Sequence, residues 1–369
     1  MKANINKKLT FPNKELISLM KNKQKWRYII NRKNIINASF FYSNYLKQLE
    51  KWLLECSTII WHATKKCNLN CIHCWVNWWD YKWWELTINE MISFIPLYKQ
   101  IWVKYFLITW WEPTLKIWLL DFILELKKNW IKVWLSSNLI TFNEEILKNI
   151  DTLQVSLDWF QESHNYIRNN NLSYKITTWN LKKMRNLNIS ILTISTIIYE
   201  KTLDNLEEFI KYVFKEFPIN SLSLKPVFSY WRAIWKNDLY IWNKDFIKFI
   251  NIVKKCIYEW YDVLIPDEFW YLKSYDTDIK IQKWYDNTWW SYMYIMENWD
   301  IKWSDQPEIE IEWNILKDDL VSIWNKGFTS LRNRALISDK CKKCKYYEKC
   351  WWWYLATIYG WKDCKIDIL

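Results

Sequence analysis

Glycine is almost missing from this chain, with 2 residues in 369, where an ordinary protein holds about 7%. Taken at its letters, the sequence has almost no residue suited to left-handed turns, close backbone approach or helix C-caps. Histidine is nearly as scarce: His62, His73 and His164 are the full set, which argues against acid–base chemistry built on paired histidines. No run of about 18 apolar residues occurs, so no membrane-spanning helix is expected. The N-terminal stretch MKANINKKLTFPNKELISLMKNK lacks the apolar core of a signal peptide. The net charge of +12 is not gathered into a basic block. Lysine is spread along the whole chain, so the charge reads as a solvated surface and nucleic acid is not an expected partner. No internal repeat is visible. The nine cysteines stand at ligand-like spacings, which suits a reducing cytoplasm better than a disulfide framework.

What the chain has in excess is tryptophan, 32 residues, and adding these to the glycines restores about the ordinary glycine share. The tryptophans also stand where glycine belongs. Asn129-Trp130 ends a helical run just before a strand, the place of a left-handed C-cap residue. Glu297-Asn298-Trp299-Asp300 separates two strand-like segments, the place of an Asn-Gly turn. Asp158-Trp159 and Trp351-Trp352-Trp353 are equally poor places for a large ring. Some lineages read the UGA codon as glycine, and the AT-rich flavour of the sequence (Ile, Lys, Asn) fits such a gene. The expectation is that most of these letters are glycine in the living cell. Trp61 and Trp324 are the best candidates for genuine tryptophan. A truly tryptophan-rich carbohydrate- or membrane-interface binder is the competing reading.

The stretch TKKCNLNCIHC, 64–74, organises the rest. Cys67, Cys71 and Cys74 follow directly on an apolar run that reads as a strand. Three thiolates on one tight loop can hold three corners of a cubane iron–sulfur cluster and leave the fourth iron open. Zinc also takes thiolates, but a structural zinc site wants four ligands in two pairs. From residue 57 to about 226, strand-like and helix-like runs alternate, the pattern of a parallel α/β unit. Expected strands are 58–63, 105–109, 132–136, 153–157, 189–196 and 221–225, with helical stretches such as 86–98 and 119–128 between them. Six βα units make an open, partial barrel whose strand C-termini carry the chemistry.

At CNLNCIHC and the threonine ahead of it, the chain resembles the radical S-adenosylmethionine (SAM) superfamily. The resemblance implies a 4Fe–4S cluster on Cys67, Cys71 and Cys74. Its free iron chelates SAM, and reductive cleavage gives a 5′-deoxyadenosyl radical that abstracts hydrogen from a substrate. His73 would lie against the adenine. Thr109-Trp110-Trp111-Glu112-Pro113, read with glycines as TGGEP, looks like the family motif for the SAM amino group, with Glu112 as acceptor. Ser137 and Asn138 end the third strand on the same rim. Ser156-Leu157-Asp158-Trp159, read as SLDG, is similar to the ribose-contacting segment, and Arg168 matches a family arginine for the SAM carboxylate. Tyr230-Trp231-Arg232-Ala233 reads as a GRA segment found after the sixth strand in related enzymes.

Beyond about residue 236 come a helical, aromatic bridge to 285 and then a hairpin at 291–303. Next is Cys341-x2-Cys344-x5-Cys350, with Cys364 beyond. Zinc fits this set in isolation, and the arrangement resembles the SPASM extension that binds auxiliary clusters in peptide-modifying relatives. Three of that pattern's seven cysteines are missing: Tyr354 and Ser304 replace two, and none occurs near Asn287. All the losses fall on the substrate-proximal cluster, so one auxiliary cluster is expected, on Cys341, Cys344, Cys350 and Cys364. Asp305 matches a family aspartate that can act as a base. Cys56 and Cys256 read as ordinary buried thiols.

The sequence therefore implies an N-terminal extension (1–55), a radical SAM partial (β/α)6 barrel (56–235), a helical bridge (236–285) and a small cysteine-rich SPASM-like domain (286–369). The function implied is modification of a peptide or protein side chain, with a reducing donor such as flavodoxin or ferredoxin and no membrane partner. A tetrapyrrole- or other small-molecule-modifying enzyme is the alternative, and a cysteine-rich zinc protein is the non-enzymatic one.

Overall fold

The computed structural model describes residues 56–74, 85–227, 239, 243–266, 281–282, 292–302, 313–328 and 343. The extension 1–55, the GRA-like segment 230–233, Ser304, Asp305, the tryptophans 351–353, Cys341, Cys344, Cys350 and Cys364 lie outside the described residues.

Six parallel strands follow chain order across the sheet: β1 (Thr58–His62), β2 (Tyr105–Thr109), β3 (Lys132–Ser137), β4 (Thr152–Ser156), β5 (Ile191–Ile198) and β6 (Ser221–Pro226). All six expected strands are present, β2 at its expected bounds and the others shifted by one or two residues at an end. Helices cross between them in the βαβ manner: α1 (Ile88–Ser93), α2 (Ile95–Gln100), α3 (Leu119–Lys128), α4 (Glu144–Lys148), α5 (Gln161–Arg168), α6 (Ser173–Lys183) and α7 (Leu206–Glu216). The single helix expected over 86–98 is broken at Phe94. Pro96 has no N–H to donate and sits in the first turn of α2, where none is needed. α1 begins on a capping box, Thr87 with Glu90.

Alternation along each strand sorts two environments. Ile59 and Trp61 of β1 face the helices, where Trp61 meets Phe122 of α3 edge-on at 5.2 Å between ring centroids. Ile60 and Leu107 face the other way, into a small cluster with Tyr292 and Tyr294. Further round, that inner face turns polar, with the Thr193 and Ser221 hydroxyls 2.8 Å apart.

The sheet runs past the boundaries the sequence suggested. The expected helical bridge holds α8 (Asn243–Tyr258), but also β7 (Val263–Pro266) and β8 (Ile281–Gln282), which extend the parallel sheet beyond β6. At the opposite edge β9 (Tyr292–Ile295) pairs in parallel with β1 and turns into β10 (Asp300–Lys302), which pairs with β11 (Trp313–Asn314). The hairpin assigned to the C-terminal region is thus the edge of the barrel sheet. Met293 and Ile295 supply the reason, burying completely in the helix-facing core, a gain of about 1.5–3 kcal/mol each. After β11, α9 (Leu320–Lys326) buries Trp324.

Among the described residues, eleven non-glycine residues have positive φ, and eight of them are tryptophan: Trp102, Trp110, Trp111, Trp118, Trp130, Trp159, Trp260 and Trp299. Three of them close helices identically. After α2, α3 and α8, the N–H groups of Trp102, Trp130 and Trp260 bond to Lys99, Lys127 and Ile257. The next residues, Val103, Ile131 and Tyr261, bond back to Tyr98, Leu126 and Cys256. This is the Schellman pattern, with tryptophan in the position glycine normally fills. Trp299 takes the left-handed place of the β9–β10 turn, closed by Met296 N–H to Asp300 at 2.8 Å. The Trp130 and Trp260 rings are 92% and 94% exposed, so packing returns nothing for the strain. Trp61 and Trp324, read as genuine, are wholly buried and are absent from the positive-φ set.

Candidate active site

β1 delivers the chain into the cysteine loop, and a residue far along the sequence fixes its start. The Glu85 carboxylate accepts from the Thr64 hydroxyl (2.9 and 3.1 Å), the Lys65 N–H (2.7 Å) and the Lys116 ammonium (3.0 Å). Burial raises the Glu85 carboxyl, but the Lys65 amide and Lys116 outweigh it, and its pKa lies below the ordinary value of 4.5. Stability from this bracket is therefore present above pH 4.5 and lost as pH falls through the lower folded value. Glu85→Gln is expected to cost roughly 1–3 kcal/mol at pH 7 and to remove that part of the acid dependence, as read from urea unfolding at pH 7 and pH 4.

A second bond ties the cysteine loop to the end of β2: the Glu112 N–H donates to the Lys66 carbonyl at 3.1 Å. Glu112 is completely buried. Its Oε1 accepts from the Thr114 hydroxyl (2.6 Å), the Thr114 N–H (3.3 Å) and the Ser137 hydroxyl (2.8 Å), and its Oε2 accepts from the Asn138 N–H (2.8 Å). Pro113, also buried, opens the short 3₁₀ turn that Glu112 caps. Burial pushes the Glu112 carboxyl up, and these neutral donors only partly offset it. Asn138 also reaches the cysteine loop, donating from its amide to Asn68 at 2.7 Å.

The end of β4 makes a third junction. Ser156 is the last residue of that strand, half-buried. Asp158, 1% exposed, accepts from the Ile197 N–H at 3.0 Å through Oδ1 and from Arg168 Nε through Oδ2. Arg168 extends a terminal nitrogen to Cys71 Sγ at 3.7 Å. Burial raises the Asp158 carboxyl, and Arg168, His73 and His164 together bring it below the ordinary range. His73 is half-buried within electrostatic reach of Asp158 and His164. Residues from four strand ends and one loop thus meet on one rim.

Residues 61–213 match the family model described as "Radical SAM superfamily". The chain carries a radical SAM domain. The matched family is one that works with SAM and a 4Fe–4S cluster. Solved structures share the fold. Streptococcus suis SuiB bound to precursor peptide SuiA is 13% identical, with 95% of this chain and 86% of that chain covered at a TM-score of 0.68. SuiB bound to S-adenosylmethionine gives the same identity and coverage at 0.66. Native anSMEcpe with bound AdoMet and Cp18Cys peptide is 17% identical, covering 80% and 88%, at 0.56. No curated protein matches.

The loop of the radical SAM domain fits a cluster by its donor chemistry. Cys67, Cys71 and Cys74 are in no disulfide. Burial pushes the Cys67 thiol up to about 12 and raises Cys71 as well, so the thiolate forms need a cationic centre among them. Among the described residues, no three His, Cys, Asp or Glu side chains close on a single metal ion; a cubane holds its thiolates farther apart than one ion does.

Glu85, Lys116, His62 and Glu297 escape sequence reasoning because each meets the rim only through tertiary contacts. His62, buried at the end of β1, lies against the Trp110 ring at 4.5 Å with the planes tilted by 35° and faces Glu297 of the hairpin turn at 4.0 Å, while Lys65 pairs with Glu297 at 3.2 Å. Burial, then Lys302, holds His62 well below its ordinary pKa.

His164 is a fixed neutral pin. Its Nδ1 accepts the Asp158 N–H at 2.9 Å, so Nε2 carries the proton toward the Ser173 hydroxyl, 2.8 Å away. Burial lowers its pKa from 6.5 to about 3. The stability this confers is complete above pH 6.5 and is lost as pH falls toward 3. The His164 ring resonances are expected to stay at neutral values between pH 8 and about 5, where an exposed histidine titrates near 6.5. Titration of His164 near 6.5 by NMR contradicts this arrangement.

Proposed function

We propose that this radical SAM enzyme modifies a peptide or protein side chain in the cytoplasm. Cys67, Cys71 and Cys74 hold its SAM cluster, and Cys341, Cys344, Cys350 and Cys364 hold one auxiliary cluster. The observation that carries the reading is the bond between Glu112 and Lys66, which sets a fully buried carboxylate beside the cysteine loop. Glu112 is raised by burial and held by neutral donors. Such a site favours an arriving ammonium, which in SAM is the amino group.

When bound, the cluster and SAM supply an electron and a 5′-deoxyadenosyl radical that takes hydrogen from carbon. The chain's own residues bind and orient. Glu112 accepts the ammonium, with Ser137 and Asn138 holding its carboxylate still. Positions 110 and 111, glycine in the organism, let the backbone approach. His73 lies against the adenine, and Ser156 with Asp158 addresses the ribose. Arg168 carries five N–H donors, and its bonds to Asp158 and Cys71 leave others for the SAM carboxylate. Asp305 serves as the base on the substrate side. The electron donor is of the flavodoxin or ferredoxin type.

The peptide class is supported by the likeness to SuiB and anSMEcpe, each with a bound peptide. Deuterium at the α- or β-carbons of a candidate peptide is expected to appear in 5′-deoxyadenosine. Transfer only from a tetrapyrrole or other small molecule overturns the peptide assignment.

A further inference from the structure

Arg168 follows a residue tied by its main chain to the cysteine loop, and a buried acid holds its guanidinium. The Ile72 N–H donates to the Ile167 carbonyl at 2.9 Å, which seats Cys71 and Arg168, the neighbours of that bonded pair, against each other. Ile167 is fully buried, and Ile72 packs against its cluster. Asp158 fixes the guanidinium from behind through Nε, and Asp158 is itself held by the Ile197 N–H and, at its own N–H, by His164, whose Nε2 meets the Ser173 hydroxyl. The nitrogen left at the front points to Cys71 Sγ at 3.7 Å. A guanidinium buried at 8% exposure keeps its charge, because it is the most basic side chain available.

We propose that Arg168 is a positioning residue that donates an N–H···S hydrogen bond to the Cys71 ligand and thereby sets the reduction potential of the SAM cluster. The proposal rests on the enzyme reading above and goes beyond it, since it assigns Arg168 to the sulfur in addition to the cofactor carboxylate. Adding an electron makes the cluster more negative, and a fixed cation and hydrogen bond at one sulfur stabilise that reduced state. The shell of Asp158, His164 and Ser173 keeps the donor aimed.

The test is potentiometric EPR on the anaerobically reconstituted full-length chain, following the cluster whose signal changes on adding SAM. Two variants guard against misfolding. Arg168→Lys keeps a charge beside Asp158 without the fork, and the double variant Asp158→Asn with Arg168→Met removes the ion pair as a unit. Both are expected to retain iron and sulfide while the midpoint moves to more negative potential. An unmoved midpoint in both, with full cluster content, overturns the assignment even if SAM affinity falls. Failure of the parent chain to form a SAM-responsive cluster removes the enzyme reading itself, a distinct outcome.

Discussion

Glycine at positions 110 and 111 is expected to raise SAM binding and cleavage at least about 100-fold over the chain with tryptophan there, a difference of roughly 2.8 kcal/mol. Trp110 and Trp111 stand at φ 71° and 46°, and a left-handed backbone costs an L-residue roughly 1–2 kcal/mol. The Trp110 ring lies on His62 at 4.5 Å, and the Trp111 indole N–H is buried without a hydrogen-bond partner. The same argument applies to stability at Trp130 and Trp260, where glycine is expected to add about 0.5–1 kcal/mol after its greater chain entropy is counted. Isothermal titration with SAM and thermal unfolding check the two halves. Equal SAM affinity in the two chains contradicts the first.

Glu112→Ala is expected to lower SAM affinity on the order of 100-fold and to destabilise the fold by roughly 2–4 kcal/mol. The substitution strands the Ser137 hydroxyl, the Thr114 hydroxyl and the Asn138 N–H, all of which now meet one carboxylate. Glu112→Gln separates charge from structure. It keeps an acceptor for the donors, so stability falls less, while the attraction to an ammonium is lost. If Gln binds SAM as tightly as Glu, the carboxylate organises the loop and does not recognise the amino group.

Much of the barrel was legible because its signals are local. β2 was read at its true bounds since a continuous apolar run ends where Trp110 turns left-handed. The cysteine loop was legible because its three cysteines lie within one short stretch. Asp158 and Arg168 were found as residues, but their mutual ion pair was not, since spacing alone does not show that one carboxylate caps the other's guanidinium. The hairpin was read at 291–303 and grouped with the C-terminal region; the pairing of β9 with β1 joins segments far apart in the chain, and nothing local marks it. Glu85 had no motif at all. The tryptophan surplus was read as glycine written in the wrong letter, and the three Schellman turns set tryptophan where glycine normally stands.

The central claim is that Cys67, Cys71 and Cys74 present an iron with an open position to SAM. The most direct measurement is EPR of the anaerobically reconstituted, reduced chain before and after SAM, beside a Cys71→Ala variant. The account predicts a 4Fe–4S signal that shifts on adding SAM and vanishes selectively in Cys71→Ala, leaving the auxiliary signal. A chain that retains zinc at this loop, or whose cluster signal is indifferent to SAM, contradicts it.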